Sequence, residues 1–349
     1  MINHVEPYYG EAERKAVEKY LKSGGFLTEY TYTKKFESML AKFLDVPFVS
    51  CVPSGTAALY LSLLASGVGP GDEVIVPDLT MIATANAVRM VGATVKLVDV
   101  AENGCINYEI IEDNLTEKTK AVIAVDLNGR SGEMDKIRNL AKSSKFILVE
   151  DACQALGSKY KGKYLGTFGR FGCFSLGFHK IITTGQGGFI VTHTKEDYET
   201  IERLKDFGRL EGGSDIHDYL GFNFKFTDLQ AVIGIEQLKT IKWRMEKKRK
   251  LYGWYFGAEP PIGYVPWFIE EYSYFDRDGL KRHLKKIGIE TRVMYPPIHT
   301  QKIYKVDKPN FPTSEFISDF VLWLPSSLSL TKKQVEIIVR ETGEFYEDV

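Results

Sequence analysis

The strongest constraint on this chain is a repeated alternation of apolar runs and helical stretches. "FVSCV" at 48–52 is followed by "TAALYLSLLASG", and "EVIVP" by "TMIATANAVRMVG". "TVKLVDV", "KAVIAVDL" and "KFILVED" come next, with helical stretches between several of them. Strands that are apolar on both faces must be covered on both, and crossover helices provide that cover. The pattern therefore predicts an α/β fold with a large, mostly parallel sheet. "GGFIVTH" at 187–193 adds another strand. Ahead of the sheet, Phe36, Met39, Leu40, Phe43 and Leu44 recur at helical spacing until Asp45 and Pro47 end the pattern. A long amphipathic segment from Asp228 to about Tyr255 leaves the sheet. Beyond "AEPPIGYVP" the tail reads as a strand, a helix ("RDGLKRHLKKIG"), a strand ("IETRVMY") and a final helix. This divides the chain into a large α/β domain, residues 1–245, and a small C-terminal α+β domain, residues 246–349.

A length of 349 residues accommodates such a pair of domains, and 44% hydrophobic with 26% charged residues is the balance of a soluble globular protein. The net charge is −1 and the basic residues are scattered, so neither a nucleic acid nor a membrane surface is indicated as a partner. Cys51, Cys105, Cys153 and Cys173 are far apart, a pattern that suits reduced thiols in a cytoplasmic protein better than a disulfide framework. The first residues lack the basic-then-apolar run of a signal peptide, and no apolar run is long enough to span a bilayer.

In open α/β sheets ligands gather at the carboxyl ends of strands. Three such ends carry suitable chemistry. After strand 48–52, Ser54, Gly55 and Thr56 open a helix whose free amides form an anion cradle, although a plain helix cap would use the same letters. In "ILVEDACQA", Asp151 and Gln154 emerge where a carboxylate can keep a ring nitrogen protonated; a capping aspartate is the ordinary alternative. In "SLGFHKIITTGQGG", Lys180 lies between two buried strands beside glycines, where desolvation exposes a neutral, nucleophilic amine. Imine formation requires that neutral form; His179 cannot form a stable imine and is left as an acid, a base or a hydrogen-bond partner. Phosphate cradle, ring-nitrogen partner and amine together describe a site for pyridoxal 5′-phosphate (PLP). No metal is called for. "GTFGRFG" at 166–172 has the wrong spacing for a dinucleotide loop.

Across almost its whole length the chain resembles the DegT/DnrJ/EryC1/StrS family of sugar-nucleotide aminotransferases, PLP enzymes of fold type I. "GGFLTEYTYTKKFE", which contains Thr28, resembles the N-terminal substrate loop, and "SGTAALYLSL" the phosphate loop. "VPDLTMIATANAV" resembles the segment over the cofactor, and "VEDACQALGSKYKGKYLGTFGRFGCFS" the central signature. The family's cofactor lysine lies five residues after the serine of "CFS" and five before the first glycine of the turn; both counts give Lys180. The resemblance implies that Asp151 pairs with the pyridine nitrogen, that Gln154 contacts the ring hydroxyl, and that Gly55, Thr56 and Ser175 hold the phosphate. "GFNFKFTDLQAVIG" resembles the segment whose asparagine crosses a dimer interface, which assigns Asn223 to the partner's cofactor and implies a homodimer with shared sites. The family's arginine in that segment is Lys225 here, and Met81 stands where an aromatic ring often stacks on PLP. "IETRVMYPPIHTQKIY" resembles the C-terminal substrate segment, bringing Arg292, Tyr295 and His299 towards the sugar or pyrophosphate; a rigid Tyr-Pro-Pro loop without ligand contact is the other reading.

The implied reaction moves the amino group of L-glutamate onto a nucleotide-linked keto-sugar. "HKIITTGQGG" and "YPPIHTQ" look most like the branch that aminates C4 of 4-keto-6-deoxy hexoses, the perosamine and viosamine type used in polysaccharide and O-antigen synthesis. A 3-keto-sugar aminotransferase is the alternative. A sugar dehydratase is disfavoured because that branch has histidine at the position of Lys180. An idle PLP-binding regulator is disfavoured by intact Lys180, Asp151 and Gln154.

Overall fold

The computed structural model describes residues 1–209, 215–306 and 310–347. Two entry helices, α1 (Glu11–Lys22) and α2 (Thr31–Leu44), precede β1 (Phe48–Val52) and α3 (Gly55–Ala65). The alternation continues through β2 (Glu73–Pro77), α4 (Ala83–Met90), β3 (Thr94–Val98), α5 (Tyr108–Asn114), β4 (Thr119–Val125), α6 (Met134–Ser144) and β5 (Ile147–Asp151). A small hairpin, β6 (Lys159–Tyr160) and β7 (Lys163–Tyr164), leads to β8 (Phe171–Ser175) and β9 (Gly188–Thr192). Helices α7 (Lys195–Lys205), α8 (Asp228–Lys239) and α9 (Ile241–Phe256) lead out of the sheet. The C-terminal part comprises β10 (Ile269–Tyr272), α10 (Arg277–Lys286), β11 (Arg292–Val293), α11 (Pro312–Phe320), β12 (Val321–Leu324) and α12 (Lys332–Glu347).

The large sheet has the order β1-β9-β8-β5-β4-β2-β3. All its pairings are parallel except those of β9, which runs antiparallel to both β1 and β8. Successive residues of one strand enter opposite cores: Val122 and Leu148 belong to one cluster, Ile123 and Val149 to the other. That two-sided burial is why these runs are apolar throughout. Helix α3 is buried almost all round, which explains why it has no polar face.

Three elements depart from the sequence pattern. The segment from Asp228 to Tyr255 is two helices. They break at Thr240, whose hydroxyl donates to the Gln237 carbonyl (2.9 Å) and accepts from Arg244 Nε (2.8 Å). "IETRVMY" contributes only Arg292 and Val293 to a strand. The centre of the small sheet is β12, a four-residue run set directly after α11, with β10 and β11 on either side. "GTFGRFG" wraps a buried acid instead of a cofactor: Glu150 accepts from the amides of Gly166, Phe168 and Gly169.

A buried ion cluster ties the N-terminal segment to the sheet. Lys205, 1% exposed, reaches Glu202 (2.8 Å), Glu29 (3.0 Å) and Glu37 (3.5 Å) and donates to the Cys51 carbonyl (3.2 Å). Glu29 lies in the loop before α2, Glu37 in α2 and Glu202 in α7, so one ammonium holds three parts of the chain. Lys34, more exposed, reaches the same three acids, Glu202 (2.7 Å), Glu37 (3.0 Å) and Glu29 (3.6 Å), so removing Lys205 leaves three largely buried carboxylates sharing one ammonium. Lys205→Met should therefore lower stability, by at most about 3–5 kcal/mol because Lys34 remains. Guanidinium denaturation monitored by circular dichroism reads that loss; an unchanged midpoint would contradict it.

Candidate active site

A cavity of about 270 Å³ opens at the carboxyl ends of β1, β5 and β8, and its wall includes Gly55, Thr56, Asp151, Ser175 and Lys180. Wider clefts exist, one of about 520 Å³ around Arg130 and Tyr264, but none of those brings together an amine, an acid and a helix start. Chemistry, not size, singles out the smaller one.

The α3 end of the cavity is a cradle of amides. Ser54 caps the helix by accepting from the Ala57 amide (3.1 Å). The amides of Gly55 and Thr56 have no protein acceptor among the described residues, and a helix start favours an anion. Glycine is required at 55: a Cβ there would lie 2.6 Å from Cys153 Sγ and 3.1 Å from Ser175 Cβ. Ser175 ends β8 beside it, and its Oγ accepts from the Gly177 amide (3.3 Å).

Asp151 ends β5. Its carboxylate accepts from Thr84 Oγ1 (2.8 Å) and the Cys153 amide (3.2 Å), bonds that fix its orientation at the cavity wall. Gln154 Oε1 accepts from the Asn128 amide (2.9 Å), leaving its NH₂ without a protein acceptor among the described residues. Asn128 in turn holds Phe268 through both its backbone groups (2.6 and 3.1 Å), linking this wall to the C-terminal part.

Lys180 sits in the connection between β8 and β9. Its amide donates to the Gly177 carbonyl (3.0 Å), and Arg244 Nη1 donates to the Ile181 carbonyl (3.2 Å), so the turn is held from both sides. The amine itself donates to no protein acceptor among the described residues and lies 3.7 Å from the centre of the Trp267 ring. Burial pulls Lys180 down from the ordinary 10.5 to about 8, against the pull of Cys153 and Asp151 in the other direction and with help from Arg292. Desolvation is the largest cause of the shift and outweighs the two acidic neighbours that favour the ammonium. At neutral pH about one amine in ten is then uncharged, against fewer than about one in a thousand for a free lysine. Lys248 is pushed lower still, to about 7, by burial. Its amine, however, is taken by the carbonyls of Trp267 (2.7 Å) and Ser326 (2.6 Å), and it does not line the cavity.

His179, Met81, Arg292 and Tyr295 also line the cavity. His179 is drawn down to about 3, by burial and then by Lys180, and its Nδ1 has no hydrogen-bond partner among the described residues. Arg292 stacks over Tyr295 and Trp323. Three expected residues do not reach the wall. Thr28 is exposed, and its carbonyl accepts from the Asp228 amide (3.2 Å). Asn223 is exposed too, on a segment pinned by the Lys225–Asp206 ion pair (2.5 Å). His299, expected near the substrate, is buried and held elsewhere: Nδ1 and its amide both bind Asp78 (2.6 and 2.8 Å), and Nε2 faces Glu315 (3.2 Å). Trp267, Asn128 and Arg244 were not singled out by the sequence; their partners lie far along the chain.

Amide cradle, oriented carboxylate and unpartnered, partly neutral amine fit PLP, and on this sheet with its C-terminal companion they define a PLP-dependent transaminase of fold type I. The chain belongs to the DegT/DnrJ/EryC1/StrS aminotransferase family, whose model matches residues 7–257 and 262–342. A GDP-perosamine synthase of Escherichia coli O157:H7 is 35% identical over 356 residues, 98% of each chain. A UDP-N-acetyl-3-dehydro-alpha-D-glucosamine 3-aminotransferase of Acidithiobacillus ferrooxidans is 36% identical over 301 residues, 82% of this chain and 81% of the other. A Streptococcus pneumoniae chain assigned as a sugar aminotransferase, solved in its PLP form, superposes with a TM-score of 0.93 at 26% identity, covering 99% and 98% of the two chains.

The Trp267 contact makes a test that needs no cofactor. Reductive methylation of Lys180 in the apo protein, followed by peptide mass spectrometry, should rise with pH through about 8. Trp267→Ala admits water and should move that midpoint towards the ordinary lysine value, slowing labelling at pH 8, whereas Trp267→Phe keeps the amine covered and the midpoint low. An unshifted midpoint in Trp267→Ala would contradict the assignment.

Proposed function

We propose that this protein transfers the amino group of L-glutamate to C4 of a nucleotide-linked 4-keto-6-deoxy hexose, acting as a cytoplasmic homodimer that serves polysaccharide or O-antigen synthesis. The observation that carries the reading is the convergence of Lys180, Asp151 and the α3 amides in one cavity. PLP, when bound, supplies an aldehyde and an electron-withdrawing ring that makes the α-proton of an amino acid removable. In this reading Gly55, Thr56 and Ser175 hold its phosphate, Asp151 keeps its ring nitrogen protonated, and Gln154 donates to its ring hydroxyl. Lys180 Nζ takes the proton from Cα of the amino donor, and later returns one to the sugar carbon that receives nitrogen. Met81 and Trp267 exclude water. Arg292, Tyr295 and His179 face the space left for the sugar nucleotide.

Preference for C4 rests on near full-length similarity to GDP-perosamine synthases, from three organisms at 32–35% identity. The 3-aminotransferase relative keeps C3 as the second reading. Support for a dimer comes from exposed apolar side chains near Thr28 and Asn223: Phe26, Leu27 and Tyr30, with Tyr219 and Leu220. Asn223 is then the group offered to the partner's phosphate cradle. A cytoplasmic location is in keeping with four unpaired thiols, three of them buried, and among the described residues no helix is long and apolar enough to cross a membrane. We keep the division at 245 because α9 places Met245 on the large core and Leu251 and Tyr255 in the small one.

Glutamate and a panel of nucleotide 4-keto and 3-keto sugars should give turnover with a 4-keto substrate, and product NMR should place the new amine on C4; an amine on C3 would overturn that choice. Lys180→Ala should lower kcat on the order of 10⁴-fold or more. Co-expressing Asn223→Ala with Lys180→Ala should regain about a quarter of wild-type activity, because half the dimers are hybrids with one complete site of two. No regain in isolated hybrids would remove Asn223 from the partner's site.

A further inference from the structure

At the amino end of the large sheet, opposite the catalytic cavity, separate elements aim cations into one cleft of about 390 Å³. Arg138 and Lys142 stand one turn apart on α6, Lys163 comes from β7, Arg170 immediately precedes β8, and His193 immediately follows β9. The cleft reaches the start of β5, whose other end carries Asp151, about 13 Å away at the usual strand rise.

The charges there are not balanced. Arg170 is committed to Asp197 (2.7 Å). Arg138, Lys142 and Lys163 have no carboxylate within ion-pair distance among the described residues, in a chain whose net charge is −1. Glu150 lies behind them, but its oxygens are taken by three backbone amides. Lys163 is instead laid over the Phe168 ring (4.7 Å). Burial and then Arg138 pull Lys163 below the ordinary lysine value, and burial and then Lys163 do the same to His193. These groups line one surface cleft and repel one another, which a multivalent counterion would reverse.

We propose that this cleft is a second binding site, for a diphosphate anion, separate from the catalytic cavity. A guanidinium and two ammoniums from two elements suit a ligand with several negative oxygens better than a single carboxylate. The diphosphate arrives either as inorganic pyrophosphate or as the diphosphate of a nucleotide, two sources that share the recognised chemistry.

Calorimetric titration of the PLP-loaded protein at low salt, with pyrophosphate and separately with a nucleoside diphosphate, tests this. Arg138→Ala/Lys163→Ala should weaken pyrophosphate binding at least tenfold while leaving PLP loading and turnover unchanged. Arg138→Lys/Lys163→Arg, which keeps the charges, should retain it. A nucleoside diphosphate that loses affinity in step with pyrophosphate identifies the diphosphate as the recognised part; one that binds wild type and the alanine variant alike leaves pyrophosphate as the source. Pyrophosphate isotherms that coincide for wild type and the alanine variant would overturn the site.

Discussion

A lysine amine attacks a carbonyl only in its neutral form, and here burial, to which the Trp267 indole contributes, favours that form. Trp267 lies under Lys180 and donates through Nε1 to the His179 carbonyl (2.9 Å), so it covers the amine and fixes the turn that carries it. The backbone of Trp267 is itself held by Lys248, whose amine donates to the carbonyls of Trp267 and Ser326. The C-terminal part of the chain thus sets the chemistry of a residue belonging to the large sheet.

The reversal of β9 makes this geometry possible. Parallel neighbours need a long crossover, usually a helix, whereas antiparallel neighbours can be joined by a turn. Because β9 runs back along β8, the connection 176–187 stays at the carboxyl end of the sheet, where Lys180 meets Asp151 and the start of α3. The turn is tied to itself, Leu176 and Gly187 pairing at 2.8 Å and Thr184 donating to the Leu176 carbonyl (3.1 Å). Arg244 and Trp267 then fasten it from outside.

Much of this was legible in the sequence, for physical reasons that also set the limits. Strands buried on both faces leave unbroken apolar runs, so the sheet could be read, and Lys180, Asp151 and Gly55 stood at the ends of such runs. The direction of β9 was readable in principle, since 176–187 carries no helical pattern and a parallel crossover is usually a helix. What could not be read were contacts between distant segments. "YVPWFIEEY" gives no sign that its tryptophan covers a lysine 87 positions earlier (267 − 180). His299 had the chemistry of a ligand, but Asp78, at the end of another strand, claims both its ring and its amide. Asn128 carries a left-handed backbone (φ 53°) inside an unremarkable stretch, and only the fold shows that it joins Gln154 to Phe268.

The amine of Lys180, and not the more deeply buried amines of Lys205 or Lys248, is the one that meets the cofactor in this proposal. Borohydride reduction of the PLP-loaded protein, followed by peptide mass mapping, tests it most directly. One phosphopyridoxyl tag per chain is expected, on the peptide containing Lys180. A tag on any other lysine, or none at all from protein that has bound PLP, would contradict it.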